Sequence, residues 1–396
     1  MPVEPTPEVG RRIAVARRAR RLSQADLAAR AHVSLSMLRK VEQGTRLPGD
    51  DTLDAIAAAL GLDPGRLLAD QTRRDGRVRA ALPALSAAIA GYDIPDSPAT
   101  GPTRDPDELE RAAADAERWR LEAQYVRLAQ AAPALVADAV AGLHAARGAE
   151  RERAARVLVS AARSGDAVAY KSGAHDLSAR LIDVMRWAAA WTNDPLADAT
   201  TAYVRTETFF SARAYAAGLR ALEHALDQTP TVVDPRTAAA RGALHMRAAV
   251  IAGRAGDADT AATHLGEARK LADGLREGVY GGTAFGPESV RVHRVSVAVS
   301  LGGDHAAGAL RLADTWRPSE SLPAERRSGY YIELARAQMW CARLDQAFTS
   351  LQAARHAAPQ HTRGHPWARE TAATLRRLRR ADAEALTSFA EWIGAV

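Results

Sequence analysis

One spacing limits what this chain can fold into more than any other feature. A small-x-x-x-large-x-x-small pattern recurs as Gly218/Leu222/Ala225, Ala261/Leu265/Ala268, Ala306/Leu310/Ala313 and Ala347/Leu351/Ala354, with a weaker copy at Ser178/Ile182/Met185. The leading positions lie 40, 43, 45 and 41 residues apart. Steps of four and three place each trio on one face of an α-helix, where the small residues let a second helix come close. Turn signals precede several copies: Gly256-Asp257, Gly302-Gly303-Asp304 and Arg343-Leu344-Asp345. A recurrence of this period predicts stacked helical hairpins, each burying its apolar face only against its neighbours. Composition agrees with an all-α chain. Apolar residues make up 47%, aromatics only 5%, and much of the apolar share is alanine, the best helix former and a poor strand former.

The repeated pattern resembles the tetratricopeptide repeat, in which small residues pack paired helices and a proline follows the second helix. The last copy matches best, with Leu334 and Ala335 on its first helix and Pro359 after its second. The period exceeds the roughly 34 residues of that repeat, so lengthened hairpins are expected. The resemblance implies a tetratricopeptide-like superhelix over residues 108–396.

The first 70 residues read differently, as five short helices. Glu8 to Arg20 is basic and amphipathic; Ser23 is a suitable N-cap for Gln24–Arg30; Ser34 caps Leu35–Gln43, which Gly44 ends. Leu47-Pro48-Gly49-Asp50 reads as a loop, followed by helices over Thr52–Leu60 and Pro64–Leu68. The series Leu22-Ser23-Gln24, Leu27-Ala28, Ala31, Val33-Ser34, Leu38, Val41-Glu42 and Gly44 resembles the lambda-repressor-like helix-turn-helix of the XRE family. That resemblance implies a five-helix DNA-binding domain whose third helix enters the major groove. It implies that Leu35, Ser36 and Lys40 approach base edges, that Gln24 and Ser34 hold phosphates at helix N-termini, and that Arg39 reaches the backbone. It also implies a partly buried ion pair between Arg17 and Glu42. His32 stands where such turns usually carry glycine, so positive φ is expected there at some cost.

Charge is distributed to match. Residues 1–79 hold fifteen Lys/Arg against ten Asp/Glu, whereas the remainder holds 38 against 37, so nearly all of the net +6 lies in the first fifth. Between the two regions, Val78 to Ala90 could form one helix despite Pro83, and Pro95, Pro98, Gly101, Pro102 and Pro106 mark a linker. The expected organisation is a DNA-binding domain over 1–70, a linker over 71–107 and the repeat domain over 108–396. Together these regions resemble actinobacterial XRE regulators with tetratricopeptide-like effector domains. No apolar run approaches the roughly 18 residues of a membrane span, and Met1-Pro2-Val3-Glu4-Pro5 lacks a secretory pattern, so a cytoplasmic protein is expected. The single Cys341 sits in an apolar helical stretch and reads as a buried, inert thiol.

Catalytic chemistry finds no constellation. The glycine-rich segment 278–287 lacks the Gly-Lys-Ser/Thr ending of a phosphate loop. His356, His361 and His365 lack metal-site spacing and read as solvated loop residues, so neither metal nor cofactor is called for. The glycine-rich segment does interrupt the helices. It leads into Glu288, Arg291, His293 and Arg294, a polar group that could edge an effector site for an anionic or hydrogen-bonding ligand. Two functional readings stay open. One is a homodimeric regulator binding double-stranded DNA whose repeats sense a small molecule or short peptide; the other is a constitutive regulator whose repeats only dimerise and scaffold.

Overall fold

The structure, a computed structural model, describes residues 8–44, 48, 50–62, 67, 76–95, 104–378 and 383–395. These residues are almost wholly helical, and the chain divides into two compact units, residues 1–76 and 77–395.

The N-terminal unit contains α1 (Glu8–Ala19), α2 (Gln24–Arg30), α3 (Leu35–Glu42) and α4 (Asp50–Ala59). The expected fifth helix and the loop before α4 lie outside the described residues, apart from Pro48 and Leu67. Local chemistry fixes the helix starts. Ser23 Oγ accepts from the Asp26 amide while Asp26 accepts from the Ser23 amide, and Ser34 Oγ accepts from the Met37 amide at 3.1 Å. Between α2 and α3 the chain turns at His32, whose φ is 51°. Ile13, Leu27, Leu38, Val41, Ile56 and Leu60 are fully buried together, each such side chain contributing about 1.5–3 kcal/mol. Gly10 sits where a Cβ would lie 2.1 Å from the Val41 carbonyl oxygen, so α1 meets α3 at backbone distance.

The C-terminal unit begins within the stretch expected as a linker. Two short helices, α5 (Gly76–Ala80) and α6 (Leu82–Ala88), replace the single helix expected there, because Pro83 starts a new helix more readily than it continues one. Val78, Leu85 and Ile89 join the core of this unit, and Leu85 packs over Gly165 and Leu181. Then follow α7 (Pro106–Leu121) and α8 (Tyr125–Ala145), and five hairpins: α9 (Gly148–Lys171) with α10 (His175–Ala189), α11 (Pro195–Ala212) with α12 (Tyr215–Gln228), α13 (Pro235–Arg254) with α14 (Ala258–Ala272), α15 (Pro287–Leu301) with α16 (Gly303–Asp314), and α17 (Ala324–Trp340) with α18 (Leu344–Ala357). The chain ends on α19 (Pro359–Gly364), α20 (Pro366–Leu378) and α21 (Ala383–Ile393).

Every copy of the repeated pattern falls on the second helix of a hairpin, and its leading residue is buried each time. The reason for small residues is measurable at Gly218. A Cβ there would come within 2.8 Å of Ile251 Cδ1 and 3.0 Å of Phe209. The glycine-rich segment is a two-stranded antiparallel hairpin, β1 (Gly278–Tyr280) and β2 (Thr283–Phe285), with Val279 opposite Ala284. Its Phe285 ring is fully buried on Gly242 of α13, a seat that only glycine leaves open.

Three expectations need correction. Cys341 is exposed, because α17 ends there: its amide closes the helix on the Ala337 carbonyl and the chain turns outward at Ala342, whose φ is 57°. His361 is buried on α19 rather than solvated, and His365 is partly buried at that helix's end; only His356 faces solvent. Finally, α8 is long and apolar enough to cross a membrane by length and composition; Leu128, Leu135, Val136 and Leu143 of that helix are core residues of this unit.

Candidate nucleic-acid interface and inner charged cluster

The N-terminal unit holds α3 by one polar knot. Arg17 of α1 donates from Nε to Glu42 Oε1 at 2.7 Å and from Nη2 to Oε2 at 3.0 Å, a two-point grip. Its remaining Nη1 donates to the Leu22 carbonyl at 2.8 Å, and Gln24 Nε2 donates to Glu42 Oε2 at 2.8 Å. Glu42 is only 5% exposed and Arg17 13%. The hydrogen bonds Arg17 donates to Glu42 raise its pKa against the opposing effect of burial. The knot thus links α1, the α1–α2 turn, α2 and the end of α3.

On α3, Ser36, Arg39 and Lys40 are exposed. Leu35 is half-buried against the core, and Ser34, exposed, caps the helix. Gln24 is half-buried, with one of its two amide protons committed to Glu42. Two capped helices therefore present hydroxyl, amide and cationic groups on one unit.

The four polar residues after the glycine-rich hairpin do not converge. Glu288 turns to the loop after α16, where its carboxylate accepts from the Ser319 amide at 2.9 Å and hydroxyl at 2.7 Å. Arg291 is exposed, its guanidinium 5.7 Å from the Trp316 ring, and Arg294 is exposed as well. His293 alone points inward. It is 4% exposed, with Nδ1 against the Ser289 carbonyl at 2.8 Å and Nε2 3.1 Å from Arg326 Nη1. Burial, and then the Arg326 charge, hold its pKa well below the ordinary histidine value.

His293 belongs to a charged cluster inside the array that the sequence reading missed. Tyr203 of α11 is its centre, 4% exposed. Arg247 of α13 stacks 4.3 Å from the Tyr203 ring, Arg163 of α9 lies 5.8 Å from it, and Arg326 of α17 donates to its hydroxyl at 3.1 Å. Burial favours the neutral phenol, yet Arg247 and Arg326 outweigh it and bring the Tyr203 pKa down to about 7. Arg163 is itself lowered to about 9, by burial first and by Arg120 next. The tip of the β-hairpin accepts from these last two: Arg163 donates to the Gly281 carbonyl and Thr283 Oγ1, and Arg120 to the Gly282 carbonyl, all at 2.7 Å. Gly282 has φ 72°, and a Cβ there would lie 2.8 Å from Arg163 Nη1, so the tip must be glycine.

Carboxylates in the same interior are few. Lys171 and Glu325 pair at 2.6 Å, and this pairing holds the Glu325 pKa far below normal although burial opposes it. Asp166 accepts from Ser178 Oγ at 2.6 Å and sits beside Glu207; burial and that neighbour push its pKa well above the carboxylate range. Glu207 is 3.8 Å from Arg247, beyond hydrogen-bond distance, and burial raises its pKa too. The signal for this cluster was present but faint. Arg163 and Asp166 are the only charges between Val157 and Tyr170, three residues apart on one helix face. Among the described residues no three His, Cys, Asp or Glu gather as a metal site.

Comparison with known proteins bears on the first unit. Residues 13–67 match the family HTH_3, described as helix-turn-helix. The immunity repressor protein of Bacillus phage phi105 is 38% identical over 64 residues, 16% of this chain and 44% of the repressor. The chain thus spans less than half the length of that curated relative. The N-terminal unit is a helix-turn-helix domain of the XRE type. Among solved structures, Bacillus thuringiensis PlcR in complex with the peptide PapR7 and DNA aligns over 67% of this chain and 94% of its own, at 13% identity. Its TM-score of 0.29 is too low for that likeness to carry an argument.

Proposed function

We propose that this chain is a sequence-specific, DNA-binding transcription regulator of the cytoplasm, not an enzyme. Residues 1–70 bind double-stranded DNA, and the helical region over 108–396 dimerises and senses a small molecule or short peptide. The observation that carries the reading is the α3 surface: the Arg17–Glu42–Gln24 knot fixes the end of the helix while Ser36, Arg39 and Lys40 stay exposed. In this reading Lys40 and Ser36 reach base edges, Leu35 touches a thymine methyl, and Arg39, Ser34 and the second amide proton of Gln24 take phosphates. One helix-turn-helix reads only a half-site, so a homodimer on an inverted repeat follows.

The scaffold reading has one observation in its favour. The hairpin tip already accepts from Arg120 and Arg163, filling part of the interior that a ligand would need. The sensing reading is preferred because Arg247 and Arg326 are not satisfied in that way.

The test is operator selection from random DNA followed by variant binding. Lys40→Ala should weaken the selected site by about 1–3 kcal/mol and relax preference at one base pair. Gln24→Ala should weaken all sequences alike. Unchanged affinity and preference in Lys40→Ala would reverse the assigned face, and a monomer on the selected inverted repeat would remove the dimer.

A further inference from the structure

We propose that the inner face of the C-terminal unit binds a monocarboxylate group between Arg247 and Arg326, against the ring and hydroxyl of Tyr203. The inference rests on the effector-sensing reading and deepens it by naming the ligand's chemistry.

Charge accounting comes first. Lys171 and Glu325 cancel as a close pair, and Arg163 is committed to the hairpin tip. Arg247 has Glu207 3.8 Å away, and Arg326 donates to the His293 ring nitrogen and the Tyr203 hydroxyl, both at 3.1 Å. Arg163 likewise reaches only the neutral hairpin tip, so the interior around Tyr203 holds more cations than closely paired carboxylates.

Hydrogen-bond accounting agrees. The buried Arg247 Nε has no hydrogen-bond partner among the described residues, and neither has Arg120 Nε in the same interior. Leaving buried charged groups in this state is costly, and native interiors rarely do so without a ligand or water. A carboxylate would supply the missing charge and accept from both guanidiniums, whose planar forks suit it. Tyr203 already reports the deficit: its depressed pKa of about 7 means that the site draws an anion from its own phenol. The charged groups facing Tyr203 are Arg163, Arg247 and Arg326, with Glu207 and Glu325 acting on Arg247 and Glu117 on Arg163. The site can be reached, since Arg247 is 20% exposed and Arg326 half-buried.

The carboxylate could belong to a small organic acid or to the C-terminus of a short peptide. Full-length protein is titrated with benzoate, with a mixture of short peptides having free C-termini, with the same mixture amidated, and with inorganic phosphate. Melting temperature and the tyrosine ultraviolet difference spectrum are followed together. Benzoate, the free peptides or both should raise the melting temperature and move the tyrosine ionisation step upward; amidated peptides should do neither. Stabilisation by benzoate indicates a small acid, and stabilisation by free peptides alone indicates a peptide.

Arg326→Gln should weaken the active probe roughly 10- to 100-fold, the loss of one charge-assisted hydrogen bond. Tyr203→Phe keeps the stacked ring, so it should fold and lack the ionisation step near neutrality, which assigns that step. The site is overturned if no carboxylate probe acts, if amidated peptides or phosphate act equally well, or if Arg326→Gln binds undiminished. Operator affinity measured with the active probe separates this inference from the reading beneath it. Binding without any change in operator affinity would keep the site and remove the sensor.

Discussion

The two units bury charge in opposite ways. In the N-terminal unit one acid meets one base: Glu42 takes both ends of Arg17 and the Gln24 amide, and almost every polar atom is met at 2.7–3.0 Å. In the C-terminal unit the charges are many and their matches loose, as with Arg247 and Glu207 at 3.8 Å or the histidine and phenol against Arg326. A satisfied buried pair has one geometry and acts as a lock. An unsatisfied cluster gains stability from any group that completes it, which is what a binding site requires. The difference separates the part of the chain built to hold a surface still from the part built to respond.

The sharpest way to break that contrast is to open the lock. Glu42→Ala leaves the Arg17 guanidinium buried without a counter-charge, which costs about 3–5 kcal/mol. A domain of this size has only about that much stability in total, so its cooperative transition should be lost at room temperature. Differential scanning calorimetry of the whole chain should show the C-terminal transition unmoved. Were the N-terminal transition to survive within a few degrees, the pair would be solvated in practice and the two units would not differ as described.

Acidification acts on the other side of the comparison. Burial, and next the charge of Lys171, hold the His361 pKa down to about 3, and burial holds His293 and His365 well below normal. Each folded pKa lies below the unfolded value, so the unfolded chain binds more protons in acid. Stability from these histidines is full above about pH 6.5 and is lost as pH falls. For His361 alone the loss is about 2 kcal/mol at pH 5. Asp166 and Glu207, with raised pKa values, act in the opposite sense over the same range. Comparison with His361→Gln isolates the histidine: the wild-type C-terminal transition should fall relative to that of the variant between pH 6.5 and 5. An unchanged difference between the two would mean water reaches this ring.

What was legible in the sequence follows the same division. The helix-turn-helix could be read because its determinants are local: Ser23 and Ser34 cap, Gly44 closes, and Leu27, Val33, Leu38 and Val41 lie close in sequence on two short helices and the turn between them. The hairpin array was legible for the same reason, since Gly218, Ala261, Ala306 and Ala347 each mark a close helix crossing. The inner cluster was not. It joins Arg163, Tyr203, Arg247 and Arg326 from four different helices, and one arginine looks like another in a chain this rich in them. Glu288, Arg291, His293 and Arg294 were grouped by adjacency, but on a helix adjacent residues face apart, and only His293 reaches the interior. The β-hairpin escaped because Phe285 and Gly242, which seat it, are 43 positions apart.

The smallest expected effect lies at the turn inside the N-terminal unit, where the comparison can be sharpened without touching a charge. His32 adopts φ 51°, a left-handed conformation that costs an L-residue roughly 1–2 kcal/mol and glycine almost nothing. The turn needs that conformation. The His32 amide returns to the Ala29 carbonyl at 3.2 Å and the Val33 amide to the Ala28 carbonyl at 3.0 Å, closing α2 before Ser34 begins α3. The side chain is exposed and is not part of the buried core, so removing it sacrifices little packing. His32→Gly relieves the strain but also gives the unfolded chain more freedom, which offsets part of the gain. The net should be a stabilisation of about 0.5–1 kcal/mol in the N-terminal unit. Chemical denaturation of the full chain should show its midpoint rising while the C-terminal midpoint stays fixed. His32→Ala, which keeps the Cβ and therefore the strain, should leave both midpoints where they were. If alanine stabilised the unit as much as glycine, the histidine ring rather than the backbone would be the source of the cost.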